Sequence, residues 1–178
     1  MNSVDSRKSK SLRVSIARRE DAENITAVIN SAFRSVEQFF VEADRVDVGE
    51  VLNFLGTGKF LLAESENTLL GCVYIEPRHL DNNRSSAQSQ DRAYLGLLAV
   101  APAHQHSGLG SILMDSAEDY CRALGLRFVD IKVVNLREEL AGFYRKRGYV
   151  ETGTSAFPEE VETKLPCHFI DMSKPLDA

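Results

Sequence analysis

The sequence predicts a single α/β domain, a mixture of helices and strands, and three observations predict it. A chain of 178 residues with 43% apolar residues has the size and apolar content for one continuous core. Short runs of alternating or unbroken apolar residues, which mark strands, interleave with longer runs whose apolar residues recur at helical spacing. Two of the strand runs flank the turn-forming pair Glu66 and Asn67, which makes them antiparallel neighbours.

The elements follow in order. Residues 1–11 are polar and basic and bury too little to order themselves, so a disordered tail is expected there, with the folded domain spanning residues 12–178. Asp5 and the lack of amphipathic periodicity argue against a mitochondrial presequence. Leu12, Val14 and Ile16 alternate with Arg13 and Ser15, a strand with one buried face. Ile25, Val28, Ile29, Ala32 and Phe33 then form a helical stripe, and Glu20, Asp21 and Glu23 sit where the helix dipole favours negative charge. A second, shorter helix shows in Val48, Val51, Leu52 and Leu55. Between the two, Phe39 and Phe40 mix with Glu37, Glu42 and Asp44, a composition that suits the lining of a cleft and equally a plain helix connection. Residues 60–63 and 69–75 are the hairpin strands. Residues 77–92, with Asn82, Asn83, Ser85 and Ser86, have no periodicity and are expected to form an exposed, mobile loop.

The stretch from Ala93 to Leu124 carries the chemistry. Residues 94–100 are nearly all apolar, as a strand buried on both faces should be, and Pro102 stops it. Leu109, Ile112, Leu113, Ala117, Tyr120 and Leu124 form the next helical stripe, and Gly125 stands where a C-terminal glycine cap belongs. Strand and helix therefore meet at Gln105, His106, Ser107, Gly108, Leu109 and Gly110. Glycines there admit a ligand close to the backbone, and successive amides at a helix start point outward with the positive end of the dipole behind them. That geometry suits phosphate, and a tight structural turn is the other use of such glycines. The segment lacks the Gly-Lys-Ser/Thr of a nucleotide P-loop and has two glycines where a dinucleotide fingerprint has three, which demotes nucleoside triphosphates and NAD.

Gln105-x-x-Gly108-x-Gly110, set between an apolar strand and an amphipathic helix, resembles the acyl-CoA pyrophosphate loop of the GNAT superfamily of N-acetyltransferases. Downstream, a strand with Val129, Ile131 and Val133 on one face, then Asn135, Leu136 and Arg137, a helix with Phe143 and Tyr144, and Gly148-Tyr149 are similar to the family's later segment. Asn135 and Tyr144 are nine residues apart, farther than in the common family spacing. The ending, from Phe157-Pro158 through Pro166-Cys167-His168 to Leu176, resembles a branch of small microbial members whose substrate is unassigned.

The resemblance implies a mostly antiparallel central sheet with splayed strands, flanked by helices. It implies acetyl-CoA as co-substrate, held by Leu98, Ala99, Val100, Gln105, His106, Ser107, Gly108, Leu109, Gly110, Ser111, Asn135 and Tyr144, with amides and carbonyls near Leu98 and Val100 free for the pantetheine arm. It implies direct transfer of an acetyl group to a primary amine, with Tyr144 as general acid to the leaving thiolate. The packing alternative for Tyr144 is a ring filling space beside Phe143 and Tyr149. The base that deprotonates the amine is to be sought among Glu37, Glu42, Asp44, His79 and bound water, since residues 94–100 carry no carboxylate. A catalytically degenerate CoA-binding regulatory module is the competing function.

Composition sets the partners. A formal charge of −5 and a pI near 5.4 offer nothing to a nucleic-acid backbone and favour a cationic small-molecule or peptide amine. Cys72, Cys121 and Cys167 lack the paired spacing of a zinc site or disulfide framework, so no metal is expected. No run approaches the roughly 20 apolar residues of a membrane span, which makes the cytoplasm the expected location, as a monomer or homodimer.

Overall fold

A computed structural model describes residues 11–78 and 91–176. Its strands are β1 (Arg13–Ile16), β2 (Lys59–Ser65), β3 (Thr68–Arg78), β4 (Arg92–Val100), β5 (Phe128–Val134), β6 (Val150–Ala156) and β7 (His168–Pro175). The α-helices among the described residues are α1 (Ala22–Glu37), α2 (Val48–Thr57), α3 (Leu109–Ala123) and α4 (Glu138–Lys146). All seven strands form one sheet in the order β1-β2-β3-β4-β5-β7-β6. Every pairing is antiparallel except β4 with β5. The expected mostly antiparallel sheet with flanking helices is the observed one.

Local chemistry explains several boundaries. Asp47 caps α2 by accepting the Glu50 amide at 2.8 Å, while the Glu50 side chain accepts the Asp47 amide at 2.8 Å, so two otherwise unpaired donors are satisfied reciprocally. Glu66 and Asn67 both have positive φ, 51° and 61°, as the tight turn of a two-residue hairpin requires. Gly125 closes α3 with φ 75°, and the Leu126 amide reaches back to the Cys121 carbonyl at 3.0 Å.

The helices cover both faces of the sheet. Phe60, Leu62, Cys72 and Tyr74 pack with Ile25 and Ile29 of α1 and Val51 of α2. Their alternate neighbours Leu61, Ala63, Val73 and Ile75 pack with Leu113, Met114 and Ala117 of α3 and with Ala141 and Tyr144 of α4. The period of two in β2 and β3 thus feeds two cores from one sheet.

Strand β4 breaks that period. Cys72 lies opposite Ala99 and Tyr74 opposite Gly96, so β4 holds one residue more than β3 between these pairs. The extra residue is absorbed at Leu97, which adopts φ 49°. Ala93 and Leu95 face the α3 core before the bulge, whereas Ala99 faces the α1 core after it, and Leu98 and Val100 turn toward α3.

Parallel pairing of β4 with β5 covers only Arg92 with Phe128, Ala93 with Val129 and Tyr94 with Asp130. Beyond Tyr94 the two strands part, as the expected splaying requires. Arg92 fastens the closed end: its Nε donates to Asp130 Oδ2 at 2.8 Å and its Nη2 to Ser173 Oγ at 2.7 Å, tying β4, β5 and β7. Burial pushes the Asp130 carboxyl up, but hydrogen bonds from Arg92 and Ser173 and the charges of Arg92 and Arg78 outweigh it, leaving the pKa lowered. A depressed native pKa stabilises the fold above the unfolded value of about 3.9, and that contribution fades as pH falls through the native value. Asp130→Asn is therefore expected to lower Tm at pH 7, with the difference from wild type closing on acidification below about pH 4 in thermal melts.

One expectation changes. The loop read as residues 77–92 is shorter, because Pro77 pairs with Ala93 and Arg78 with Arg92 inside the sheet. Its proline is tolerated because β3 has by then run past the end of β2 and is an edge on that side. Residues 79–90, His79 included, lie outside the described residues, as do residues 1–10 of the tail. Strand β6 carries no alternation in sequence; it is a polar, almost wholly exposed edge.

Candidate active site

The turn after β4 has the form that its sequence requires. A single 3-10 turn, Pro102–His104, follows the strand, His106 takes φ 62°, and Gly108 takes φ 85° as the residue that caps α3. The first helical hydrogen bond runs from the Ile112 amide to the Gly108 carbonyl at 3.2 Å. The amides of Gly108, Leu109, Gly110 and Ser111 have no backbone acceptor among the described residues. Four successive free donors at a helix N-terminus form an anion cradle. A Cβ on Gly110 would meet nothing nearer than Val100 Cγ2 at 4.0 Å, so the space in front of the turn is open.

That space is the end of a groove of about 580 Å³. Leu98, Val100, Gln105, His106, Gly108, Gly110 and Ser111 line it together with Phe33, Val36, Arg137, Leu140 and Phe143. Of the remaining expected contacts, Leu109 is buried in the core under α3, Ala99 faces the α1 core, and the Ser107 hydroxyl donates to the His104 carbonyl at 2.6 Å. The Gln105 side chain donates to the Val100 carbonyl at 3.3 Å, so that carbonyl is engaged within the chain. Asn135 lines no part of the groove. Its side-chain oxygen accepts the His168 amide at 2.9 Å and its own amide donates back to the His168 carbonyl at 3.0 Å, which fastens the end of β5 to β7.

The groove leads into a narrow cleft where β4 and β5 part. Leu98, Tyr94, Tyr144, Glu37, Arg45 and Arg137 are among its walls. Tyr144 is 6% exposed, stacked edge to face against Phe143 at 5.1 Å and Tyr149 at 5.5 Å. Its hydroxyl makes no hydrogen bond among the described residues. Burial, with a smaller push from Tyr94, raises the phenol above its ordinary range, so it stays protonated as a donor.

Of the proposed bases among the described residues, Glu37 alone lines the cleft. It is 8% exposed at the C-terminal end of α1, with Arg137 Nη1 3.8 Å from Oε1. Burial raises its pKa against the lowering charges of Arg45 and Arg137. Glu42 is tied to Lys164 at 3.0 Å, and Asp44 is tied to Arg34; both are exposed. Among the residues that sequence reasoning left out of the site are Phe33, Val36, Arg45, Leu140 and Arg137. Phe33 was read only as part of a helix stripe and Arg45 only as part of a helix connection, and periodicity marks a buried face without marking a site.

A sheet parted around a row of free helix-start amides defines a protein that holds a long ligand with an anionic end between two strands. The chain matches the acetyltransferase (GNAT) family over residues 24–149, most of its length, and belongs to that family. An amino-acid acetyltransferase from Azotobacter vinelandii is 28% identical over 101 residues, a stretch that makes up 57% of this chain and only 20% of that longer protein. Among solved structures, a candidate phosphinothricin N-acetyltransferase superposes with a TM-score of 0.73 at 22% identity, covering 94% of this chain and 100% of its own. A candidate acetyltransferase from Salmonella typhimurium, solved with its cofactor acetyl-CoA, gives 0.70 at 20% identity, covering 94% and 95%. The ribosomal-protein-S18-alanine N-acetyltransferase of Escherichia coli gives 0.70 at 14%, covering 94% and 96%. At these identities the structural likeness is one of fold. No helix among the described residues is long and apolar enough to cross a membrane.

Proposed function

We propose that this protein transfers an acetyl group from acetyl-CoA to a primary amine, with Tyr144 as the donor to the leaving thiolate. The observation that carries the reading is the row of free amides at 108–111 facing a groove that leads to a cleft walled by Tyr144. The residues present fit acetyl-CoA: the amides and the α3 dipole take the pyrophosphate, and apolar Leu98, Val100, Leu140 and Phe143 flank the pantetheine arm. Acetyl-CoA supplies the activated acyl group as a thioester. The edge of β4 beyond Tyr94 has lost its β5 partner, and its free amides orient the arm and polarise the acyl carbonyl. Tyr144 stabilises the departing sulfur by hydrogen bonding, because a raised phenol holds its proton while a thiolate accepts the bond.

Thiol release from acetyl-CoA across a panel of amines, amino acids and peptides tests the reading. Release with at least one amine is expected, and acetyl-CoA binding without release from any of them would favour a CoA-binding regulatory module. Gly110→Asp supplies the control. The new carboxylate enters open space and suits the first turn of a helix, so the fold is expected to keep its Tm. It stands where the pyrophosphate binds, and acetyl-CoA affinity measured by calorimetry is expected to fall by at least about 10²-fold.

A further inference from the structure

Three cavities lie in series in this molecule, and Phe33 borders all of them. The groove opens into the cleft between the parted strands, and the cleft meets a side pocket of about 380 Å³ between the end of α1, the α1–α2 connection and residues 160–162. Phe33, Glu37 and Arg45 line both cleft and side pocket, so they stand at the junction. Phe39 is exposed and Phe40 fully buried, and neither lines the pocket, although their composition had marked this connection as a possible cleft.

Arg45 is the unusual group here. Asn30 clamps its backbone: the Asn30 side-chain oxygen accepts the amides of Arg45 and Val46 at 3.0 and 3.1 Å, and its nitrogen donates to the Val46 carbonyl at 2.8 Å. The guanidinium lies over the Phe33 ring at 5.3 Å, and its buried Nε has no hydrogen-bond partner. It forms no ion pair among the described residues, although Arg34 and Lys164 beside the pocket are paired with Asp44 and Glu42. The Glu37 charge acts on it from beyond ion-pair distance, so its Nε donor stays unused, and a partly desolvated unused donor is costly unless an acceptor meets it. A simple alkylamine would leave that donor unmet. A molecule bearing a carboxylate near its amine would satisfy it while presenting the amine to Glu37.

We infer that the acceptor is a small amino acid, its carboxylate held by Arg45 and its ammonium deprotonated by Glu37. The inference rests on the acetyl-transfer reading above. Glu37 accepts one proton from the ammonium and passes it to solvent. The freed nitrogen attacks the thioester carbonyl; the carbon–nitrogen bond forms, the carbon–sulfur bond breaks, and the second nitrogen proton balances the departing thiolate as CoA thiol. Burial, which raises the Glu37 pKa against Arg45 and Arg137, brings the carboxylate closer in basicity to the proton it must take.

The test compares amino acids with the amines left when their carboxylate is removed, such as phenylalanine with phenethylamine and methionine with its decarboxylated amine, by CoA release from the full chain. Wild type is expected to prefer the amino acid by about 10²-fold in kcat/KM. Arg45→Met is expected to bring that ratio close to one, chiefly through KM for the amino acid, and Arg45→Lys to restore part of it. The ratio is internal to each variant and does not depend on how much of it folds. Glu37→Gln is expected to lower kcat by about 10²-fold on an unchanged KM. Equal use of both members of each pair by wild type, a preference that survives Arg45→Met, or full turnover in Glu37→Gln would overturn the inference while leaving acetyl transfer standing. Acetyl-CoA binding with no release from any amine would instead overturn the acetyl-transfer reading and this inference with it.

Discussion

Tyr144→Phe is expected to lower kcat by about 10²-fold while acetyl-CoA affinity and Tm stay close to wild type. The ring is held by Phe143 and Tyr149 and by the surrounding core, and phenylalanine keeps those contacts. The hydroxyl has no hydrogen bond among the described residues, so its loss leaves no broken pair. All that is removed is a protonated donor in the cleft where the sulfur would leave. Tyr149→Phe is the matched control. Its hydroxyl donates to Glu118 at 3.2 Å, outside the groove and cleft, so that substitution should cost stability and spare turnover. Steady-state kinetics and thermal melts on the two variants separate donor from filler; normal turnover in Tyr144→Phe at saturating substrates would return Tyr144 to the packing role.

The largest effect on stability is expected at Glu118. This carboxylate is 3% exposed on α3 and accepts from Lys174 of β7 at 2.6 Å, from Tyr149, and from Arg147 after α4 at 3.5 Å. One side chain therefore pins helix α3, the end of α4 and strand β7 together. Arg147 keeps a second partner in Asp115 at 2.6 Å, but Lys174 has no second carboxylate among the described residues, only the Tyr149 ring at 5.6 Å. Glu118→Ala strands a half-buried ammonium and opens a void, and a loss of about 3–5 kcal/mol is expected from urea unfolding midpoints. Replacing both partners, Glu118→Leu with Lys174→Met, should recover much of that loss, because the stranded charge goes with its partner.

Much of the frame was legible because its signals are local. The stripes of α1 and α3, the hairpin turn at Glu66 and Asn67, and the glycine that ends α3 depend on neighbours within a few residues. The Gln105–Gly110 turn was legible for the same reason: a strand, two glycines and a helix start put free amides in a row whatever the rest of the chain does. Strand β6 was not legible, since an edge strand exposed on both faces needs no alternation and borrows its regularity from β7. Asn135 resembled a ligand contact in sequence, yet it faces His168, which is distant in the chain and adjacent in the sheet.

By itself the sequence determined where backbone donors would be left over, because helix starts and left-handed glycines are properties of a few consecutive residues. Only the tertiary structure decided where that surplus leads. The bulge at Leu97 reverses the facing of β4 so that Leu98 and Val100 line the groove, and the parallel pairing lapses after Tyr94 so that the cleft opens. Packing of α1 against that opening brings Glu37, Phe33 and Arg45 to a strand that lies far along the chain. Facing, splaying and long-range burial are set by how strands pair and which core each face meets, and no local pattern of residue types records that choice.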